Sequence, residues 1–340
     1  MFFVPFVQEQ LFPMSDLLTD LEERREIAIR SYSGMWTRLA AEWTTPAVDD
    51  RAWLMYAANY LFRTSNVRWA MDPLSLRQRI PAAPAVDYSA LTALDYVVLT
   101  HRHADHLDLQ LLALLKDFHV RWIVPEALLE PLRSLDLPPE KLTIARPLEP
   151  LQLGALTLIP FEGRHWEADA SRPGGRRGVP ALGYLAEFNG NRWLFPGDTR
   201  TYDASQLPAF GSVDGLFAHL WLGRGQALSE QPPLLDAFGR FCLDLQPRRI
   251  VITHLNEWGR SAHEMWTPAH ARLAVDWFGE HAPGLSVWFS GLFLAGKEIS
   301  QRAQKDRQKH ADETRHEQAG LVFQNEDRGG VAWNGETATG

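Results

Sequence analysis

The 340-residue chain is 45% hydrophobic, enough for a buried core, and its single cysteine, Cys242, excludes an internal disulfide and fits a reducing compartment. A formal charge of -8 and a pI near 5.8 argue against a general binder of long nucleic acid, whose phosphates demand a basic face. No run approaches the roughly 18 apolar residues that span a bilayer, and the aromatic start Met1 to Val7 lacks the cationic and small-residue parts of a secretory signal. The expectation is a cytoplasmic globular protein without a transmembrane segment.

Ser15 and Asp16 can cap a helix in which Leu17, Leu18, Leu21, Ile27 and Ile29 recur at near-helical spacing. The pattern predicts an interruption near Gly34 and a second amphipathic stretch over Met35 to Trp43, so residues 1–50 read as an N-terminal helical extension. Trp53 to Arg63 and Val67 to Met71 read as a strand pair turning at Ser65-Asn66 and closed by Asp72-Pro73. Asp72 lies near where the next ligands converge. It reads either as a hydrogen-bond partner for one of them or as a plain turn-starting aspartate.

Val97 to Thr100 is β-favouring and delivers His101-Arg102-His103-Ala104-Asp105-His106, after which a leucine-rich helix pattern begins. In an extended run alternate side chains share a heading, so His101 and His103 can converge on one ion. Where the backbone turns into the helix, Asp105 and His106 take another heading and can serve a second ion about 3.5–4 Å away. Three histidines and an aspartate this close together outweigh the reading of scattered, locally satisfied side chains.

Further along, Val120 to Val124 reads as a strand, Glu126 to Leu135 as a helix, Leu142 to Ala145 as a strand, and Leu156 to Pro160 as a strand that delivers His165 and Trp166. Asp169 to Pro180, with Arg172, Arg176 and Arg177 among glycines, reads as a solvated basic loop. Asn189-Gly190 predicts a hairpin between Ala181–Phe188 and Arg192–Phe195, ending in Pro196-Gly197-Asp198. Gly215 to Leu220 reads as a strand and Leu234 to Leu245 as a helix, with Cys242 as a small buried hydrophobe. Arg249 to Thr253 is a strand leading to His254, Pro268 to His281 a proline-started helix, and Leu285 to Phe289 a last strand. From residue 296 to 340 the periodicity fades into a charged segment read as a mobile tail.

Strand ends carrying His101, His103, Asp105 and His106, then His165, Asp198 and His254, form an ordered set that resembles the metallo-β-lactamase fold superfamily over roughly residues 51–295. The resemblance implies an α/β fold, a four-layer αββα sandwich, with metals at one edge between two sheets. It implies His101, His103 and His165 on one metal, Asp105, His106 and His254 on the other, and Asp198 bridging them. The His106-Leu107-Asp108 ending and the His165-Trp166 pair are similar to the branch containing L-ascorbate-6-phosphate lactonase and the N-acyl-phosphatidylethanolamine-hydrolysing phospholipase D.

Two divalent ions suit this ligand set: zinc first for an imidazole-rich site, with manganese or iron also compatible. Water held between such ions loses a proton near neutral pH, giving a hydroxide nucleophile. Asp105, Asp198 and His219 are the catalytic candidates, with a satisfied core histidine as the competing reading of His219. Arg260, His263, Trp166 and Trp258 are the candidates for substrate contact, Arg260 as a grip on an anion. The leading expectation is a binuclear hydrolase of a small anionic ester, lactone or phosphodiester, possessing no long nucleic-acid partner and able to form a homo-oligomer. A nucleotide or nucleic-acid phosphodiesterase and a non-catalytic metal-dependent sensor are the alternatives.

Overall fold

Tyr60 and Phe62 pack into one hydrophobic cluster and the intervening Leu61 into another, and all three are buried. The same split recurs at Val98 against Val97 and Leu99, at Phe217 against Leu216 and Ala218, and at Val251 against Ile250 and Ile252. Strands that alternate yet bury both faces belong to sheets covered on both sides. The computed structural model, which describes residues 2–3, 17–46, 49–169 and 171–289, has that architecture.

In the first sheet β1 (Phe2–Phe3), β2 (Arg51–Leu54), β3 (Tyr60–Thr64), β4 (Val67–Met71), β5 (Tyr96–Val98), β6 (Arg121–Pro125) and β7 (Leu142–Ala145) pair in chain order. The chain then forms β8 (Leu151–Leu153) and β9 (Leu156–Glu162), followed by a separate hairpin of β10 (Trp166–Ala168) and β11 (Arg176–Gly178). The second sheet is completed by β12 (Leu182–Phe188), β13 (Asn191–Phe195), β14 (Gly215–His219), β15 (Arg249–Thr253) and β16 (Ser286–Phe289), in the order β8-β9-β12-β13-β14-β15-β16. Aromatic rings fill the space between the sheets, with Phe62 stacked on Trp69 at 4.2 Å and Phe195 on Phe217 at 4.4 Å. Leu111, Leu112 and Leu115 of the helix Leu109–Leu115 pack on the outer face of the first sheet, together with Trp36 and Trp43. Phe238, Phe241 and Cys242 of Leu235–Asp244 join Ala271, Ala274 and Phe278 of Pro268–His281 on the outer face of the second. The αββα sandwich is therefore as expected.

Three local expectations are corrected. Helix Leu17–Thr44 runs unbroken for 28 residues through Gly34, because Tyr32, Met35, Trp36 and Trp43 bury one stripe along it; packing overrides the roughly 1 kcal/mol penalty of one glycine. Trp53 to Arg63 is two antiparallel strands, β2 and β3, closed by a Met55 N–H to Asn59 O bond. Glu126 to Leu135 is a succession of short 3₁₀ and α turns. The Ser15-Asp16 cap and the segment 296–340 lie outside the described residues. Among the described residues no helix is long and apolar enough to cross a membrane.

Gly215 lies opposite Trp193 in the β13–β14 register, and a Cβ there would come within 2.2 Å of the buried indole. Gly215→Ala should lower unfolding free energy by about 1–3 kcal/mol through overpacking, measured by urea denaturation. An unchanged midpoint would show that the indole can yield.

Candidate metal centre

Each ligand candidate sits just past a strand end, where the backbone leaves the ladder and side chains from both sheets can meet. Sheet one supplies His101 to His106 after β5; sheet two supplies His165 after β9, Asp198 after β13, His219 at the end of β14 and His254 after β15. Donor atoms of His101, His103, His165 and Asp198 lie within 4.8 Å of one another, and so do those of Asp105, His106, Asp198 and His254. Asp198 belongs to both groups. Its Oδ1 is 3.1 Å from His106 Nε2, while Oδ2 is 3.5 Å from His254 Nε2 and 3.8 Å from both His101 Nε2 and His165 Nε2.

Hydrogen bonds behind the rings decide which nitrogen faces this centre. The buried Asp72 carboxylate accepts from Thr100 N–H at 2.7 Å, from Thr100 Oγ1–H at 2.5 Å and from His106 Nδ1–H at 2.8 Å. Because the Thr100 hydroxyl spends its one proton on Asp72, it accepts from His101 Nδ1–H at 2.9 Å. Both rings therefore turn Nε2 toward Asp198; burial lowers the His106 imidazole, but Asp198, Asp72 and Asp105 raise it well above the ordinary histidine value, so a cation bound there would displace its Nε2 proton. Asp72, His101 and His106 form a third close group, but its contacts use the nitrogens turned away from the centre, so it orients ligands instead of making a third site. Asn59 Nδ2 ties the loop down from below, donating to Asp72 O and Asp105 O at 2.7 and 2.9 Å.

The donor set fits divalent cations. Among the described residues His101 Nε2, both ring nitrogens of His165, and Asp198 Oδ2 are buried without any hydrogen-bond partner, a costly state for so many converging atoms unless a cation satisfies them. Burial pushes the His101 and His103 imidazoles down and His165 to about 3, which keeps them neutral, the form that coordinates metal. Burial acts to raise the Asp198 carboxyl, yet the imidazoles around it, His106 foremost, hold it well below the usual carboxylate range.

His219 is placed with the centre, its Nε2 3.9 Å from Asp198 Oδ2. Its Nδ1 lies 3.0 Å from the Thr199 backbone N–H and 3.3 Å from Thr199 O, and the shorter contact, in which Nδ1 accepts, assigns the ring proton to Nε2. That N–H has no partner among the described residues. Burial also drives the ring's basicity well below the ordinary histidine value, so His219 is a neutral donor aimed into the site.

The substrate-contact candidates divide. Arg260 is not free to grip a ligand with its whole fork: Nη2 donates to Asp105 Oδ2 at 2.9 Å and Nε to Glu257 Oε2 at 2.8 Å. It steadies a ligand carboxylate instead, and Glu257, itself held by Arg79 at 2.6 Å, anchors it. Trp258 is buried among residues of the N-terminal helix, including Leu21, Tyr32 and Met35, so it is core and not cleft wall. His263 is exposed on a short turn and Trp166 is half-buried on β10; Arg172, Arg176 and Arg177 are exposed, but Arg176 and Arg177 lie on β11, paired with β10, where a solvated loop was expected. Thr100 and Asn59 went unread in the sequence. Thr100 immediately precedes the histidine motif, a position that could have flagged it; nothing local marked Asn59.

Residues 69–255 match the family model described as a beta-lactamase superfamily domain. The chain belongs to the metallo-β-lactamase superfamily. No curated protein matches it. Among solved structures, it is similar to CmlA, a diiron β-hydroxylase from Streptomyces venezuelae, at 18% identity and a TM-score of 0.51, over 72% of this chain and 53% of CmlA. The superfamily chain thus spans about half the length of that relative. It is also similar to Igni18, a metallo hydrolase from the hyperthermophilic archaeon Ignicoccus hospitalis, at 16% identity and a TM-score of 0.50, over 72% of this chain and 95% of Igni18. Both likenesses are of fold.

Asp72→Asn would place an amide N–H where donors now converge, and should weaken zinc binding about 10- to 100-fold in competition with a chromogenic chelator. Unchanged affinity would remove Asp72 from the ligand-orienting role. His219→Ala should lower kcat by about 10²–10³-fold, the loss of one preorganised donor, with the pH midpoint of kcat/KM unmoved. Disappearance of the alkaline limb would make His219 a base.

Proposed function

We propose that this superfamily member is a binuclear metal-dependent hydrolase acting on a small anionic ester, lactone or phosphodiester. The observation that carries the reading is the Asp198 carboxylate shared by two groups of imidazole and carboxylate donors. Zinc suits the nitrogen-rich group, and the mix of nitrogen and oxygen donors also suits manganese or iron. Two such ions, when bound, lower the pKa of a water toward neutrality and polarise the scissile oxygen.

The chain's own residues supply the rest. His101 and His106 are held with Nε2 facing inward, His106 by Asp72 directly and His101 through Thr100. Arg260 and Glu257 fix the rotation of Asp105. The His219 Nε2–H stands where a substrate oxygen gaining negative charge would find a donor that needs no reorganisation. Within the superfamily, we place the chain beside the L-ascorbate-6-phosphate lactonase and N-acyl-phosphatidylethanolamine phospholipase D-like branch; the Thr100 to Asp108 loop and the His165-Trp166 pair support this.

The test is metal-free protein reconstituted with zinc, manganese or iron and assayed on lactones, phosphodiesters, phosphomonoesters and β-lactams. Elemental analysis should find about two ions per chain, with fewer in His103→Ala and Asp198→Ala. Absence of bound metal after reconstitution would sink the reading, whereas metal without turnover on any ester would favour a sensor.

A further inference from the structure

His165 and Asp198 are each followed, two positions on, by a charged residue, Glu167 and Arg200. The two segments run side by side: Arg200 N–H donates to Arg164 O at 2.9 Å, and the Thr201 hydroxyl donates to Trp166 O. Glu167 and Arg200 thus lie beside the two ligand candidates on adjacent segments, and both Asp198 and Glu167 act on the Arg200 charge.

There they meet a second arginine. Arg200 Nη1 donates to Glu167 Oε1 at 3.3 Å, Arg224 Nε donates to the same oxygen at 2.8 Å, and Arg224 Nη2 also reaches it. Both guanidiniums lie over the buried Trp221 ring, Arg200 at 4.7 Å and Arg224 at 5.5 Å from its centre. Two permanently charged groups share the Glu167 carboxylate; Asp198 also acts on Arg200 but faces the histidine donors of the centre, so one positive charge is left over at Glu167. The Arg200 side chain is only 8% exposed, yet its Nε has no hydrogen-bond partner. An indole floor, an unsatisfied buried N–H and a surplus cation describe a receptor for an anion, since stacked guanidinium donors match planar oxyanions.

We propose that Arg200 and Arg224, laid on Trp221 and spaced by Glu167, bind the anionic end of the substrate, a singly charged carboxylate remote from the bond that is cut. The surplus of one positive charge matches one negative charge, and Glu167 shows that a carboxylate fits the pair. Arg260 does not compete for this role, because it is occupied by Asp105 and Glu257. The proposal rests on the hydrolase reading for its purpose but makes a separate claim about binding.

The experiment is calorimetric titration of the zinc-loaded full chain with butyrate, with neutral butyramide and with inorganic phosphate. Butyrate should bind and butyramide should not. Arg224 is 42% exposed, so Arg224→Gln carries little risk to folding; it should weaken butyrate about tenfold, the loss of a charge-assisted fork. Arg224→Lys should recover part of that loss. Arg248→Gln, an exposed arginine paired with Asp214, should bind as the unaltered chain does. Equal butyrate affinity in Arg224→Gln would place the anion on the metals and overturn the subsite, and phosphate binding more tightly than butyrate through Arg224 would overturn the carboxylate assignment. Arg224-dependent binding in a chain that hydrolyses no ester would uphold the subsite while defeating the hydrolase reading.

Discussion

The Asp72 carboxylate is the interaction on which the centre depends. It is buried, it sits on a residue with φ of 46°, and it accepts three hydrogen bonds from Thr100 and His106. A half-satisfied carboxylate in that place would cost several kcal/mol; a fully satisfied one fixes its donors in direction as well as position. Its geometry comes from the sheet. Asp72 follows β4 and Thr100 follows β5, parallel neighbours, and Asp72 N–H continues their ladder to Val98 O at 2.9 Å. Backbone pairing thereby sets ring orientation in two histidines that never touch the ladder.

The centre also lies on a seam. Backbone and side-chain hydrogen bonds cross between the sheets at this edge, among them Leu182 N–H to Thr100 O at 3.1 Å, Tyr184 hydroxyl to Leu99 O at 2.8 Å, and His254 N–H to Ala57 O at 2.9 Å. The last holds His254 at φ 67°, a region costly for a side chain with a Cβ. Aromatic packing between the sheets fixes their separation deeper in, so these bonds need only set register at the rim. Side chains from one sheet then face those from the other across a gap of ion-binding size.

Much of this was legible in the sequence, for a physical reason. Strands delivering histidine or aspartate leave a local trace, since the apolar run and the ligand are adjacent in the chain. Cys242 was legible too, as part of a helical stripe. What stayed hidden depends on pairing between distant segments. Arg260 reads as a free cation beside His254 until Asp105, 155 residues earlier, is seen against it. Trp258 reads as cleft wall until the N-terminal helix covers it. Arg200 and Arg224 lie in different loops, and only the fold brings both to Glu167.

The stitches along the seam join parts of the chain that are far apart in sequence. Tyr56 donates to Glu257 across 201 positions, and His254 meets Asp105 across 149. Contacts of such span form late, after most loop-closure entropy has been spent. A chain with only its first sheet assembled would own half of each donor group and hold an ion weakly. The energy of binding a cation there would therefore accrue almost wholly to the finished sandwich, acting as a latch on the last step of folding, so that losing the cation would loosen the two sheets.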